Sequence, residues 1–168
     1  MRLLLLDRDG VINHESPEFI KSPEEWRPIS GSMGAISRAN QLGFQVVVVS
    51  NQSGIGRELL SIEALNQIHN RMLDEVIRHG GNISAIFFCP HLPDQACRCR
   101  KPRTGLFESI QKRLGTKLDQ AYYVGDRLSD IKAAQKIGAL PMLVKTGHGE
   151  QTLAELPKHG GIQVFRDL

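Results

Sequence analysis

Four consecutive leucines, Leu3 to Leu6, run directly into Asp7-Arg8-Asp9-Gly10-Val11. An apolar run of this length, bounded by a glycine turn, suits a strand buried on both faces. Such strands belong to parallel sheets covered by helices. Open sheets of that kind place their ligands beyond the carboxyl ends of the strands. The run therefore sets Asp7 and Asp9 at the mouth of a site. Carboxylates there suit a hard divalent cation or a covalent phosphoryl intermediate.

The rest of the chain alternates in the same way. Residues 32–42 predict a helix with Met33, Ile36 and Ala39 on one side and Gly43 as its stop. Further strands are expected at 44–49, 85–88, 121–124 and 142–144. Helices are expected at 61–79, 105–114 and 128–137, with Ser61 as N-cap of the first. A short helix near 152–156 and an edge strand at 164–165 complete the pattern. Strand–helix alternation implies right-handed crossovers and a three-layer, Rossmann-like α/β fold with a parallel sheet. No repeat or linker interrupts the 168 residues, so one domain over 1–168 is expected. Long loops at 14–30 and 89–103 are its decorations.

Composition excludes several classes. A net charge of +3 is too mild to argue for nucleic acid, and 5% aromatic residues leave no stacking platform for bases. No apolar run approaches the ~18 residues of a membrane helix. The N-terminus lacks the basic, apolar and small-residue series of a secretion signal. The three cysteines are odd in number and all lie between 89 and 99, which argues for reduced thiols. A cytoplasmic monomer with neither nucleic-acid nor membrane partner is expected.

Four strand ends carry polar residues in order: Asp7 and Asp9, then Ser50 and Asn51, then Arg100 and Lys101, then Asp126 with Asp130 a turn later. Taken singly, each reads as a cap or turn residue. As a set, Asp7-Arg8-Asp9-Gly10-Val11, Ser50-Asn51-Gln52, Lys101 and Gly125-Asp126-Arg127-x2-Asp130 resemble the four motifs of the haloacid dehalogenase superfamily, in its phosphatase branch. That resemblance implies a capless fold roofed by loops. It implies Mg²⁺ held by the Asp7 and Asp126 carboxylates and the Asp9 backbone carbonyl. It implies Asp7 as nucleophile, forming an aspartyl-phosphate, and Asp9 as general acid and then base. Ser50, Asn51 and Lys101 would hold the equatorial phosphoryl oxygens. Gln52, Ser53, Arg100 and Arg127 would contact substrate, and Asp130 would orient Lys101 or the metal shell. To donate a proton near neutrality, Asp9 needs a pKa above its ordinary ~3.9, so a raised value is expected.

Cys89-Pro90-His91, five residues, then Cys97-Arg98-Cys99 offer three thiols and one imidazole. These four make a complete tetrahedral zinc shell with no position left for water, which is a structural site. Zinc would stiffen the segment and fix where Arg100 and Lys101 point. His69 and His79 are expected on helix faces or at the surface and not as ligands; His14, His148 and His159 carry no assignment.

Asn51-Gln52-Ser53-Gly54-Ile55, together with the cysteine loop ending in Cys99-Arg100-Lys101-Pro102, is similar to the D-glycero-D-manno-heptose 1,7-bisphosphate 7-phosphatases. This implies a small phosphorylated sugar as substrate, with removal of its C7 phosphate in the synthesis of cell-envelope glycans. It also implies that Arg100 recognises the substrate, including a second phosphate. Ser50 stands where many relatives have Thr, and Arg127 where some have Lys. The main alternative is histidinol phosphate, whose amine would suit a carboxylate of the first loop. A polynucleotide 3′-phosphatase or a non-catalytic metal-binding module fit less well. Glu15 and Glu18 are expected to line the entrance, with Glu24 and Glu25 on a solvated face.

Overall fold

The computed structural model describes residues 2–157 and 161–168; His159 lies outside them. The strands are β1 (Arg2–Leu6), β2 (Phe44–Asn51), β3 (Ala85–Cys89), β4 (Tyr122–Gly125), β5 (Leu140–Val144) and β6 (Gln163–Phe165). The helices are α1 (Ser32–Gln41), α2 (Ser53–Gly56), α3 (Ile62–Arg78), α4 (Gly105–Leu114), α5 (Leu128–Lys136) and α6 (Gly149–Glu155). All six strands pair in parallel, in the order β3-β2-β1-β4-β5-β6.

Residue alternation along β1 and β2 builds the two cores. Leu6, Val46 and Val48 join Met33, Ile36, Leu65, Ile68, Met72 and Val76 in one, beneath α1 and α3. Leu3, Leu5, Val47 and Val49 join Leu106, Phe107, Ile110, Ala133 and Ala134 in the other, beneath α4 and α5. Val46 to Val49 are all fully buried, as a strand covered on both faces requires. At about 1.5–3 kcal/mol for each buried branched side chain, these two strands are the main stabilising element of the sheet. Helix ends follow local chemistry: the Ser61 hydroxyl accepts from the Ala64 amide at 3.1 Å, and Gly115 closes α4 in a left-handed conformation.

Boundaries depart from the sequence reading in several places. β2 runs on to Asn51, beyond the expected Val49. β5 begins at Leu140; Pro141 has no amide for the ladder and disguises that start. The short helix α2 and the start of α6 at Gly149 carry no apolar period to announce them.

The chain builds β1, β2 and β3 outward to one side. It then returns to place β4 against the free side of β1, followed by β5 and β6. The direction reverses between β1 and β4, so the loops leaving those two strands diverge and open a crevice. Asp7 follows β1 and Asp126 follows β4. Residues 7–31, between β1 and α1, form only isolated bridges, Asp9 with Asn13 and Asn13 with Pro28. No helix among the described residues is long and apolar enough to cross a membrane.

Candidate active site

Asp7, Asp126 and Asp130 bring carboxylate oxygens within 4.8 Å of one another. The Asp7 amide extends the sheet by donating to Val124 O at 3.0 Å. Gly10 has φ +81°, and a Cβ there would collide with Asp126 Oδ2, so only glycine lets this turn pass so close to β4.

Lys101 Nζ sits at the centre of the cluster, 2.7 Å from Asp130 Oδ1 and 3.0 Å from Asp7 Oδ1. It also lies 2.8 Å from both Val49 O and the Tyr123 hydroxyl. Burial works against its charge, but the two aspartates more than offset that and hold its pKa above the ordinary value. Asp130 is fully engaged: Oδ1 takes Lys101 and Tyr123, and Oδ2 takes the Arg127 amide at 3.0 Å.

Asp7 and Asp126 are less well compensated. Burial raises Asp7 well above the ordinary carboxylate value. Lys101 opposes the rise, while Asp130, Asp126 and Asp9 add to it. Burial and the Asp130 charge push Asp126 up to about 7, although the His148 amide donates to Oδ2 at 2.8 Å. Asp126 Oδ1 is buried without a hydrogen-bond partner among the described residues. An orphaned carboxylate oxygen costs about 1–3 kcal/mol or more. Clustered, under-compensated carboxylates are the donor set of a hard divalent cation such as Mg²⁺, and these residues fit one.

Asp9 differs from the expectation of a raised pKa. Burial pulls it up, but Arg8 and hydrogen bonds from Asn13, Gln52 and Arg8 outweigh burial and lower it. Arg8 Nη2 lies 3.0 Å from both carboxylate oxygens, Asn13 Nδ2 donates at 2.9 Å and Gln52 Nε2 at 2.9 Å. The side chain between the two aspartates of the motif points inward and supplies the opposing charge.

His69 is on a face of helix α3, one of the two placements expected for it, but the face is the buried one. It is 5% exposed, with Nε2 3.4 Å from Arg8 Nη1. Burial first, then the Arg8 charge, lower its pKa from 6.5 to about 3. A histidine depressed in the folded state contributes stability that is fully present above 6.5 and is lost as pH falls toward 3, because the unfolded chain takes the proton first. His69→Gln should flatten that slope. Between pH 6.5 and 4.5 the variant should lose about 2–3 kcal/mol less unfolding free energy than the parent. Urea midpoints at the two pH values test this, and parallel slopes would refute it.

A cavity of about 390 Å³ opens over the cluster. Its walls include Asp7, Asp9, Asn51, Gln52, Ser53, Arg100, Lys101 and Arg127, all anticipated as site residues. Ser50 is not in the wall. It is fully buried, and its hydroxyl takes Gln52 Nε2 at 2.5 Å. The Asn51 amide braces the Lys101 backbone, accepting at 3.0 Å and donating at 3.2 Å. Because β2 continues through both residues, alternation sends their side chains to opposite faces of the sheet. Ser50 thus reaches the cavity only through Gln52, whereas Asn51 lines it and also braces Lys101.

The rim combines Arg57, Arg100 and Arg127 with Glu15 and His148. Glu15 pairs with Arg127 through one oxygen and lies 2.8 Å from His148 Nε2 through the other. Glu18, expected beside it, is exposed and outside the wall. Burial lowers the Arg100 pKa; Cys89 and Cys97 oppose this, while Arg127 and Arg57 reinforce it as like charges. Sequence reasoning missed Tyr123, Arg8 and His148. Only Tyr123, two residues before Gly125 on a short strand, left a signal in its placement.

The four metal-type ligands of the second loop converge, again with ligand atoms within 4.8 Å. Cys89 Sγ lies 3.5 Å from His91 Nδ1, 3.8 Å from Cys97 Sγ and 3.2 Å from Cys99 Sγ, and His91 Nδ1 lies 3.2 Å from Cys99 Sγ. A zinc tetrahedron with bonds near 2.3 Å has edges of about 3.7 Å, close to these spacings. Burial pushes the Cys89 thiol up to about 12. At Cys97 the Arg100 amide, 3.4 Å from sulfur, and the neighbouring thiols overcome burial and lower it to about 6. Thiols that cannot all ionise together are what a bound dication would relieve. The Arg100 guanidinium also donates to His91 O at 3.2 Å, so this cluster and the rim share a residue.

Comparison with known proteins agrees with this geometry. Residues 98–168 match a family model described as "HAD-hyrolase-like". The chain is 45% identical over 168 residues to a D-glycero-beta-D-manno-heptose-1,7-bisphosphate 7-phosphatase of Bordetella bronchiseptica, covering all of this chain and 94% of that one. It is 44% identical to the enzyme of the same name from Neisseria meningitidis, covering all of this chain and 91% of the other. A crystal structure of the B. bronchiseptica D,D-heptose 1,7-bisphosphate phosphatase, complexed with magnesium and phosphate, superimposes with a TM-score of 0.95. It covers 99% of this chain and 93% of that one at 44% identity.

Proposed function

This chain belongs to the haloacid dehalogenase-type phosphatases, in the family of the heptose-1,7-bisphosphate 7-phosphatases, and from that premise we propose that it hydrolyses the C7 phosphate of D-glycero-β-D-manno-heptose 1,7-bisphosphate through an aspartyl-phosphate on Asp7. One observation carries the chemistry. The Asp7 carboxylate stands 3.0 Å from Lys101 Nζ, and in the same cluster lies the Asp126 oxygen that has no partner among the described residues.

In this reading the Asp7 oxygen attacks phosphorus, the bond from phosphorus to the C7 oxygen breaks, and Asp9 gives its proton to that oxygen. The incoming phosphate dianion is a like charge beside Asp9 and raises the pKa that Arg8 lowers. Asp9 then takes a proton from water as it attacks the acyl phosphate, releasing inorganic phosphate and freeing Asp7. Lys101 stabilises charge on the phosphoryl oxygens from a fixed position, since Asp130, Tyr123 and Val49 O hold it. Asp7, Asp126 and the Asp9 backbone carbonyl would hold Mg²⁺, which supplies charge that polarises the phosphoryl group. Cys89, His91, Cys97 and Cys99 would hold Zn²⁺ as a structural ion. The reaction fits a cytoplasmic step toward envelope glycans.

Rim charge supports a bisphosphate. Arg127 is already paired with Glu15, whereas Arg57 and Arg100 face the cavity as neighbouring cations. Glu15, the carboxylate best placed to take a histidinol amine, is occupied by Arg127 and His148. Relatives at 43–46% identity are named for the β anomer, and one named for the α anomer is 32% identical. The test is kcat/KM for the β and α heptose bisphosphates and histidinol phosphate with one preparation; a preference for histidinol phosphate would overturn the assignment. Arg57→Ala should raise KM for the bisphosphate at least about tenfold, the loss of one charged hydrogen bond, while leaving aryl phosphate hydrolysis within about twofold. Equal losses on both substrates would remove Arg57 from the second-phosphate site.

A further inference from the structure

We propose that His69 is a positioning residue for the leaving-group proton: it anchors Arg8, and Arg8 sets the orientation of Asp9. This role rests on the reading of Asp9 as the proton donor. Helix α3 contributes no residue to the cavity wall. Within its buried stripe of Leu65, Ile68, Met72 and Val76, His69 is the one buried polar side chain. An imidazole among aliphatic side chains is costly unless it is bonded.

Its bond is to Arg8, which is 1% exposed. Arg8 Nε and Nη2 grip both oxygens of Asp9, and Nη2 also donates to Gln52 Oε1 at 3.2 Å. Among the described residues, His69 Nε2 is the acceptor that the structure gives to Nη1. A guanidinium is a rigid planar fork, so pinning Nε, Nη2 and Nη1 fixes its plane and the carboxylate bonded to it. With Nη1 left buried and unpaired, the fork would rotate toward another acceptor and take Asp9 with it. Neutral imidazole accepts at Nε2, and its burial beside a cation keeps it neutral.

Protonation of the leaving oxygen matters for a sugar alkoxide and little for a stabilised aryl oxide. The test compares kcat/KM on the heptose bisphosphate and on p-nitrophenyl phosphate, because kcat/KM reports the first transfer and not the later hydrolysis. His69→Leu should lower kcat/KM for the sugar phosphate about tenfold, a fraction of a full general-acid contribution, and change the aryl phosphate less than about twofold. His69→Gln, which keeps an acceptor at similar reach, should restore the sugar phosphate rate to within about threefold of the parent. His69→Asn is polar but one methylene short; it should behave like His69→Leu and stands in for it if the leucine variant does not fold. Equal losses on the two substrates, or no loss on either, would overturn the role. Asp9→Asn is the control: it should show the same selectivity in larger form. If it does and the His69 variants do not, this role alone fails. If it does not, the donor reading fails and this role with it.

Discussion

Asp7→Asn is expected to abolish turnover, lowering kcat by a factor of at least about 10⁴, as removal of a covalent nucleophile does elsewhere. The amide keeps the shape of the side chain and can still accept from the Arg8 amide, now 2.7 Å from Oδ1, but it cannot attack phosphorus. The variant should nevertheless fold, and melt at or above the parent temperature. Burial and three neighbouring carboxylates raise the Asp7 pKa, so ionising this side chain is less favourable in the folded protein than in the unfolded chain. The sign follows from linkage: a carboxylate whose folded pKa lies above its unfolded value loses stability as pH rises through the folded pKa. Removing that charge therefore trades function for stability. Acid quenching of the parent during turnover, followed by borohydride reduction of any acyl phosphate, should convert residue 7 to homoserine. Retained activity in Asp7→Asn, or the label on another residue, would end the covalent mechanism.

Removing the proposed zinc should produce the second large effect, on stability and binding together. Chelation followed by dialysis into excess Mg²⁺ separates the thiol cluster from the carboxylate site. The expected loss is about 3 kcal/mol, similar to opening a cross-link that closes a short loop, or roughly 6–12 °C in melting temperature for a chain of this size. The same treatment should raise KM for the bisphosphate more than it lowers kcat. Arg100 is tied to the cluster through its amide at Cys97 Sγ and its guanidinium at His91 O, and Lys101 is the next residue. Cys99→Ser should reproduce both effects. An unchanged melting curve and unchanged KM after verified zinc loss would show that the loop holds its shape without metal.

Much of the architecture is readable from local pattern. Leu3 to Leu6 and Val46 to Val49 can only be strands covered on both faces, and Gly43, Gly115 and Gly138 stop helices where the apolar period ends. Parallel order follows from the crossover lengths. Strand-end placement then brings Asp7, Lys101 and Asp126 to one crevice, because the carboxyl edge of a parallel sheet gathers residues that are far apart in the chain. The thiol cluster is legible for a similar reason: four ligands within eleven residues have few ways to avoid one another.

Directions and charge states are a different matter. Two extra residues in β2 turn Ser50 inward and Asn51 toward the Lys101 backbone, and no propensity marks that extension. The lowered pKa of Asp9 comes from Arg8, Asn13 and Gln52, the last of which arrives from the turn between β2 and α2. His69 looks like any polar residue on an amphipathic helix until packing places it against Arg8. Periodicity and strand-end position are properties of neighbouring residues, so the amino-acid order alone determined the sheet, its two cores and the meeting point of the reactive groups. Hydrogen-bond partners and local dielectric depend on segments that meet only after folding, so the tertiary structure alone decided which carboxylate is held ionised, which oxygen lacks a partner and which buried side chains steer the others.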